Sequence, residues 1–94
     1  MLEKALERKA CNIIKDLGGL ALKFSPTASR GWPDRVMLLN DGHIFFVEFK
    51  REGLVPTKLQ KLRALSLKGR GYSVYYCDSI TQFHHILSKE GLAE

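Results

Sequence analysis

Apolar residues recur at helical spacing near the start of the chain. Leu2, Leu6, Ala10, Ile13, Ile14 and Leu17 are separated by Lys and Arg, which predicts a helix over residues 2–17. Gly18-Gly19 stops it. Leu20 to Ser25 then reads as a strand. Pro26 to Pro33 is a loop of small residues that also holds Arg30 and Trp32. Arg35 to Leu39 and His43 to Lys50 read as two strands, joined through Asn40-Asp41-Gly42, a strong hairpin signal. Ile44-Phe45-Phe46-Val47 is apolar on both faces and reads as an inner strand. After a loop over 51–56, Thr57 to Lys68 predicts a second helix with Leu59, Leu62 and Leu65 on one side and Gly69 at its end. Tyr72 to Cys77 is a strand. A last helix begins near Ser79, uses Ile80, Phe83, Ile86 and Leu87, and ends by Gly91. The order is αβββαβα, an α/β domain with a mixed central sheet flanked by helices. No repeat, low-complexity tract or internal linker interrupts it, so residues 1–94 are expected to form a single domain.

The chemistry concentrates in Pro33-Asp34 and Glu48-Phe49-Lys50. Side chains alternate along a strand, so Glu48 and Lys50 share a face and Phe49 points the other way. Whether Asp34 joins them depends on the hairpin. A three-residue loop of Asn40, Asp41 and Gly42 sets Leu39 opposite His43, and counting back sets Asp34 opposite Glu48. That loop wants glycine in the left-handed position, which Gly42 supplies. A two-residue Asp-Gly loop would shift the register by one and turn Asp34 away. Two carboxylates directly opposite on one face repel, and a divalent cation between them removes the repulsion. Oxygen ligands suit Mg²⁺. Such an ion can activate water and neutralise phosphate charge, with a lysine beside it to orient the water or stabilise developing negative charge. The plain alternative is a Glu48–Lys50 ion pair at a sheet edge, worth about 0–1 kcal/mol.

Composition narrows the setting. The net charge is +5 and the pI about 9.4, a balance that suits a polyanion such as nucleic acid. A chain this short buries little more than about 60% of its unfolded surface, so a partner subunit would help it. Cys11 and Cys77 lie far apart in no metal-binding spacing and read as small buried hydrophobes in a reducing compartment. The N-terminus carries charge every few residues and has no apolar run of a signal peptide. No segment approaches the ~18 apolar residues of a membrane span. The expectation is a protein of the cytoplasm with no membrane contact.

The run Gly31-Trp32-Pro33-Asp34-Arg35, followed by Val47-Glu48-Phe49-Lys50 and then Gln60, resembles the VRR-NUC family. These are virus-type replication-repair nucleases of the PD-(D/E)XK superfamily. The resemblance covers nearly the whole chain, including the first helix with its Glu, the Leu17-Gly18-Gly19 stop and the closing strand and helix. It implies a restriction-endonuclease-like core and a metal-dependent DNA endonuclease, with Mg²⁺ or Mn²⁺ as the cofactor and no small-molecule cofactor. Asp34 and Glu48 are implied as metal ligands, with the backbone carbonyl of Phe49, and Lys50 as the catalytic lysine. Glu7 resembles the family's first-helix carboxylate, and Gln60 its helix-borne glutamine. Trp32 stands where a smaller apolar residue is common. The resemblance also suggests branched DNA such as four-way (Holliday) junctions, in DNA repair or replication of phages and bacteria.

Several of these positions have a second reading. Glu7 borders the apolar stripe of its helix and is either an inward ligand or a solvated first-helix Glu favoured by the macrodipole. Glu3 is its rival one turn earlier. Thr57-Lys58-Leu59-Gln60 fits a capping box, as does Ser79-Ile80-Thr81-Gln82, so Gln60 is either a site residue or a cap. Lys23, Arg30, Arg35, Arg51, Lys58 and Lys61 are candidate phosphate contacts. Trp32 either stacks on an unpaired base or packs under its loop. Arg63, Lys68 and Arg70 read as a solvated helix face. His43, His84 and His85 have no zinc spacing, and neither a zinc site nor histidine catalysis is expected. A two-fold homodimer would offer paired sites to a symmetric junction, with Tyr72 to Tyr76 and the last helix as its interface. The rival from another class is a binding module that grips structured DNA without cutting it. A sequence-specific, restriction-like nuclease would need more recognition surface than this chain offers.

Overall fold

The computed structural model describes residues 2–24, 26 and 29–92. Its elements are α1 (Glu3–Asp16), β1 (Leu20–Lys23), β2 (Arg35–Leu38), β3 (Ile44–Phe49), α2 (Lys58–Lys68), β4 (Ser73–Cys77) and α3 (Ile80–Lys89). The αβββαβα order is the one the apolar pattern predicts. Boundaries retreat by a residue or two at most ends, where caps rather than hydrophobicity decide. Ser25, expected to end β1, lies outside the described residues, as do Thr27 and Ala28 of the following loop.

The sheet runs β1-β2-β3-β4. The first three strands are antiparallel, and β4 is parallel to β3. The β2–β3 register settles the hairpin. Arg35 pairs with Val47 and Leu38 with Ile44, and Leu39 N–H donates to the His43 carbonyl at 2.9 Å. Gly42, at φ +82°, takes the left-handed position. The loop is therefore Asn40, Asp41 and Gly42, and one step beyond Arg35 and Val47 sets Asp34 opposite Glu48.

Alternation along β3 divides the core in two. Phe45, Val47 and Phe49 face α1 and α3, and form the larger cluster with Leu6, Ala10, Ile14, Met37, Phe83 and Leu87. Phe46 faces α2 and packs with Ala64, Leu67 and Val74. Glu48 shares that second face, as its even number requires.

The docked face of α2 is not its leucine row. Leu59, Leu62 and Leu65 are exposed, while Ala64 and Leu67 are buried. Positions 60, 63, 64 and 67 make one helical face, so docking by Ala64 and Leu67 carries Gln60 and Arg63 inward with them.

All three helices point the same way. The Gly18–Gly19 stop after α1 abuts Leu38 and Leu39, and Glu90 at the end of α3 pairs with His43. Both are at the hairpin end of the sheet. Gln60, in the first turn of α2, touches Glu48 at the other end. The helix N-termini, with their partial positive charge, thus gather where β1 ends, β2 begins and β3 ends.

Candidate active site

Asp34, Glu48 and Lys50 converge at that end of the sheet. Asp34 Oδ2 accepts the Phe49 N–H at 2.8 Å, which ties the start of β2 to the end of β3. Glu48 is only 5% exposed, the one buried charged residue among those described. Its Oε2 accepts from Gln60 Nε2 at 2.6 Å and lies 3.7 Å from Lys50 Nζ. Its Oε1 is buried with no hydrogen-bond partner.

The electrostatics are those of a crowded acidic pair. Burial, then the negative charge of Asp34, pushes the Glu48 carboxyl up to about 7, against the opposing pull of Lys50. Burial also raises Asp34. The Phe49 N–H counters it, and the charges of Glu7 and Glu3 add to it. Tyr76 is raised by burial and by Glu48, its Cα partner across the parallel β3–β4 pair. Of two carboxylates sharing one low-dielectric site, one is strongly raised, and here it is Glu48. A neutral sheet end gains nothing from such an arrangement.

Gln60 caps its helix and also contacts Glu48. Thr57 Oγ accepts the Gln60 N–H, and Gln60 Oε1 accepts the Thr57 N–H at 2.9 Å, which completes the capping box. The other end of the same amide donates to Glu48. Gln60→Ala should therefore lose the cap, about 1 kcal/mol, and also free the Glu48 carboxylate. Thr57→Ala should lose only the cap. Both variants should melt earlier, Gln60→Ala by at least as much as Thr57→Ala, and about a tenfold fall in activity should be confined to Gln60→Ala. Equal activities would show Gln60 to be a cap alone.

Glu7 is not brought to the pair. Arg35 Nε donates to its Oε2 at 2.6 Å, and Arg35 also donates to the Ala21 carbonyl at 3.0 Å. Odd-numbered Arg35 points to the α1 side of the sheet, away from Asp34, and holds Glu7 there. No group of three or more His, Cys, Asp or Glu side chains is placed to hold a metal ion among the described residues. The same pair engages Arg35, expected as a free phosphate contact. Arg30, Arg51, Lys58 and Lys61 are exposed.

Trp32 packs rather than projects. Its ring meets Phe24 edge to face, at 5.9 Å between centroids, and the Arg63 guanidinium lies 4.9 Å above it. Arg63 also donates to the Arg30 carbonyl at 2.8 Å, so a side chain expected on a solvated face instead fastens the loop before Asp34. Gly31, at φ +84°, lets that loop approach α2, since a Cβ there would meet Leu59 at 2.7 Å. The signal for Arg63 lay in its spacing from Gln60, three residues on along one helical face. Tyr76 was missed because nothing local in the sequence sets the β3–β4 register.

The cysteines are free thiols. Cys77 is buried, whereas Cys11 is only half-buried, because it sits at the flank of α1 rather than on its core stripe. Burial pushes the Cys77 thiol up to about 11, which makes it inert.

A mixed sheet with paired carboxylates and a lysine where two strands meet, flanked by helices on both faces, defines a nuclease of the PD-(D/E)XK type. The comparisons with known proteins agree. A solved structure described as a VRR_NUC domain superposes with a TM-score of 0.87 at 30% identity, covering 92% of this chain and 94% of that one. A curated protein, "Putative nuclease p44" of Acyrthosiphon pisum secondary endosymbiont phage 1, is 36% identical over 77 residues, 82% of this chain and 83% of that protein. No family model matches. The chain belongs to the VRR-NUC family.

Proposed function

We propose that the protein is a metal-dependent DNA endonuclease with Asp34, Glu48 and Lys50 at its centre. The buried, unpartnered Oε1 of Glu48 beside Asp34 carries the reading. An isolated buried carboxylate oxygen is costly, and a hard cation fits both the oxygen and the repulsion. Asp34, Glu48 and the carbonyl of Phe49 would hold Mg²⁺ or Mn²⁺. The bound ion supplies Lewis acidity, neutralising phosphate charge and making water a competent nucleophile near neutral pH. Gln60 and the Phe49 N–H fix the two carboxylates in place. Lys50 Nζ faces the charge that develops as water adds to phosphorus and a P–O ester bond breaks. Glu7 supports the site from α1 by holding Arg35.

The substrate we propose is branched or structured DNA, four-way junctions among them, met in the cytoplasm during phage or bacterial replication and repair. Exposed Arg30, Arg51, Lys58 and Lys61 are the phosphate contacts. A homodimer would supply the second site of a symmetric junction. Support for a dimer comes from an apolar row crossing three strands on the α2 face, Leu20–Leu38–Ile44, with Leu20 and Ile44 exposed and Leu62 and Leu65 bare on α2. This surface is more apolar than the tyrosine strand and α3 expected from the sequence, where Tyr75 is committed to Glu90. No helix among the described residues is long and apolar enough to cross a membrane.

The test is an end-labelled four-way junction beside a linear duplex of matching sequence, incubated in Mg²⁺ or Mn²⁺. Preferential cutting of the junction supports the substrate. Equal cutting of both keeps the nuclease and removes the junction preference. Binding of either DNA with no cutting in any cation favours a non-cleaving module.

A further inference from the structure

We infer that the pocket between α1 and the end of β1 is a second phosphate subsite, taking one phosphodiester of the bound strand away from the scissile one. The inference rests on the nucleic-acid reading of the centre and extends it to a surface on the other side of the sheet end.

The pocket encloses about 370 Å³ and is lined by Lys4, Glu7, Arg8, Asn12, Lys23 and Arg35, together with Cys11. Three elements supply its cations. Lys4 and Arg8 stand one turn apart on α1, Lys23 ends β1, and Arg35 begins β2 as the Cα partner of Lys23. The single acid, Glu7, is already neutralised by Arg35. Lys4, Arg8 and Lys23 have no ion-pair partner among the described residues, and all three are exposed.

This arrangement works against the fold. Like charges at i and i+4 repel along a helix. Cations in the first turns of a helix face the positive end of its dipole. With the Arg35–Glu7 pair cancelling, Lys4, Arg8 and Lys23 leave the cavity with uncompensated positive charge. The acidic pair at Asp34 and Glu48 poses the same difficulty with opposite sign. An anion in the pocket relieves it, and a phosphate matches several donors converging from two sides.

Position selects the anion. Arg35 directly follows Asp34, so the pocket opens at the same end of the sheet as the carboxylates. A strand held at Asp34 and Glu48 would pass this end of the sheet and present a further phosphate to Lys4, Arg8 and Lys23. Such contacts add affinity without reading sequence.

The experiment measures binding of a fluorescein-labelled DNA duplex by anisotropy in EDTA, at several salt concentrations. Wild type is compared with the triple variant Lys4→Ala, Arg8→Ala, Lys23→Ala. A control, Lys15→Ala, Lys68→Ala, Lys89→Ala, removes the same charge from the helix C-termini. Melting curves confirm that each variant folds. The subsite variant should bind about tenfold more weakly, with the log–log salt slope shallower by about 1. The control should move neither by as much. Equal changes in both variants would reduce the effect to net charge and overturn the proposal. An unchanged subsite variant, or a wild type that does not bind the duplex, would overturn it as well. Binding with the expected slope change but no cleavage in Mn²⁺ would leave the subsite standing and sink the nuclease reading instead.

Discussion

Glu48→Gln is expected to abolish DNA cleavage and, at the same time, to make the metal-free protein more stable. The two effects share a cause. Glu48 is buried against Asp34, and its carboxyl is pushed up to about 7. An acid whose folded pKa exceeds its unfolded value binds protons more tightly when folded. Wild-type stability should therefore fall as pH rises from about 4.5 towards 7, then level off. Glutamine keeps the shape and the oxygen that accepts from Gln60, and it does not titrate. Its advantage should be absent near pH 4.5 and reach about 2–3 kcal/mol above pH 7, a melting shift on the order of 10 °C for a domain of this size. Cleavage should fall about 10³-fold, the scale of losing a principal electrostatic group. Melting curves at pH 4.5 and 7.5 in EDTA check the stability arm. A Glu48→Gln variant no more stable than wild type at pH 7.5 would mean that the carboxylate pair is not under strain.

Phe83→Ala should bring the largest loss of stability. Phe83 is fully buried where α3 meets Phe49, and it shares a cluster with Leu6, Ile14 and Phe45. Large-to-small changes of this kind cost about 3–5 kcal/mol, against a typical total of about 5–15. A small domain should be near its limit. Urea unfolding should show a midpoint well below wild type, or a substantial unfolded fraction without urea. A loss under about 1 kcal/mol would show that α3 is dispensable to the core.

Periodicity made the element order legible, whereas Asn40-Asp41-Gly42 allowed either a two- or a three-residue loop and so left the placing of Asp34 open. Once that loop holds three residues, the positions of Asp34, Glu48 and Lys50 follow by counting. What stayed hidden depended on tertiary choices. The leucines of α2 outnumber Ala64 and Leu67, yet it is Ala64 and Leu67 that pack on Phe46 and Val74, and that face carries Gln60 and Arg63. Glu7 is expected from the sequence either to turn toward the carboxylate pair or to stay solvated, and it does neither, pairing instead with Arg35. The odd position of Arg35 in β2 decides this, by placing its guanidinium on the α1 side. Of the two readings open for Trp32, Phe24 and Arg63 around its ring favour packing under the loop. The cationic pocket is invisible along the chain because Lys4, Arg8 and Lys23 meet only when β1 folds back beside α1.

The most direct measurement follows cleavage of an end-labelled DNA duplex by wild type and by Lys50→Ala in Mg²⁺, Mn²⁺ and EDTA. Wild type should cut in at least one cation and not in EDTA, and the variant should lose about 10²–10³-fold. Cutting that persists in EDTA, or that Lys50→Ala leaves intact, would contradict the claim that Asp34, Glu48 and Lys50 form a metal-dependent hydrolytic centre.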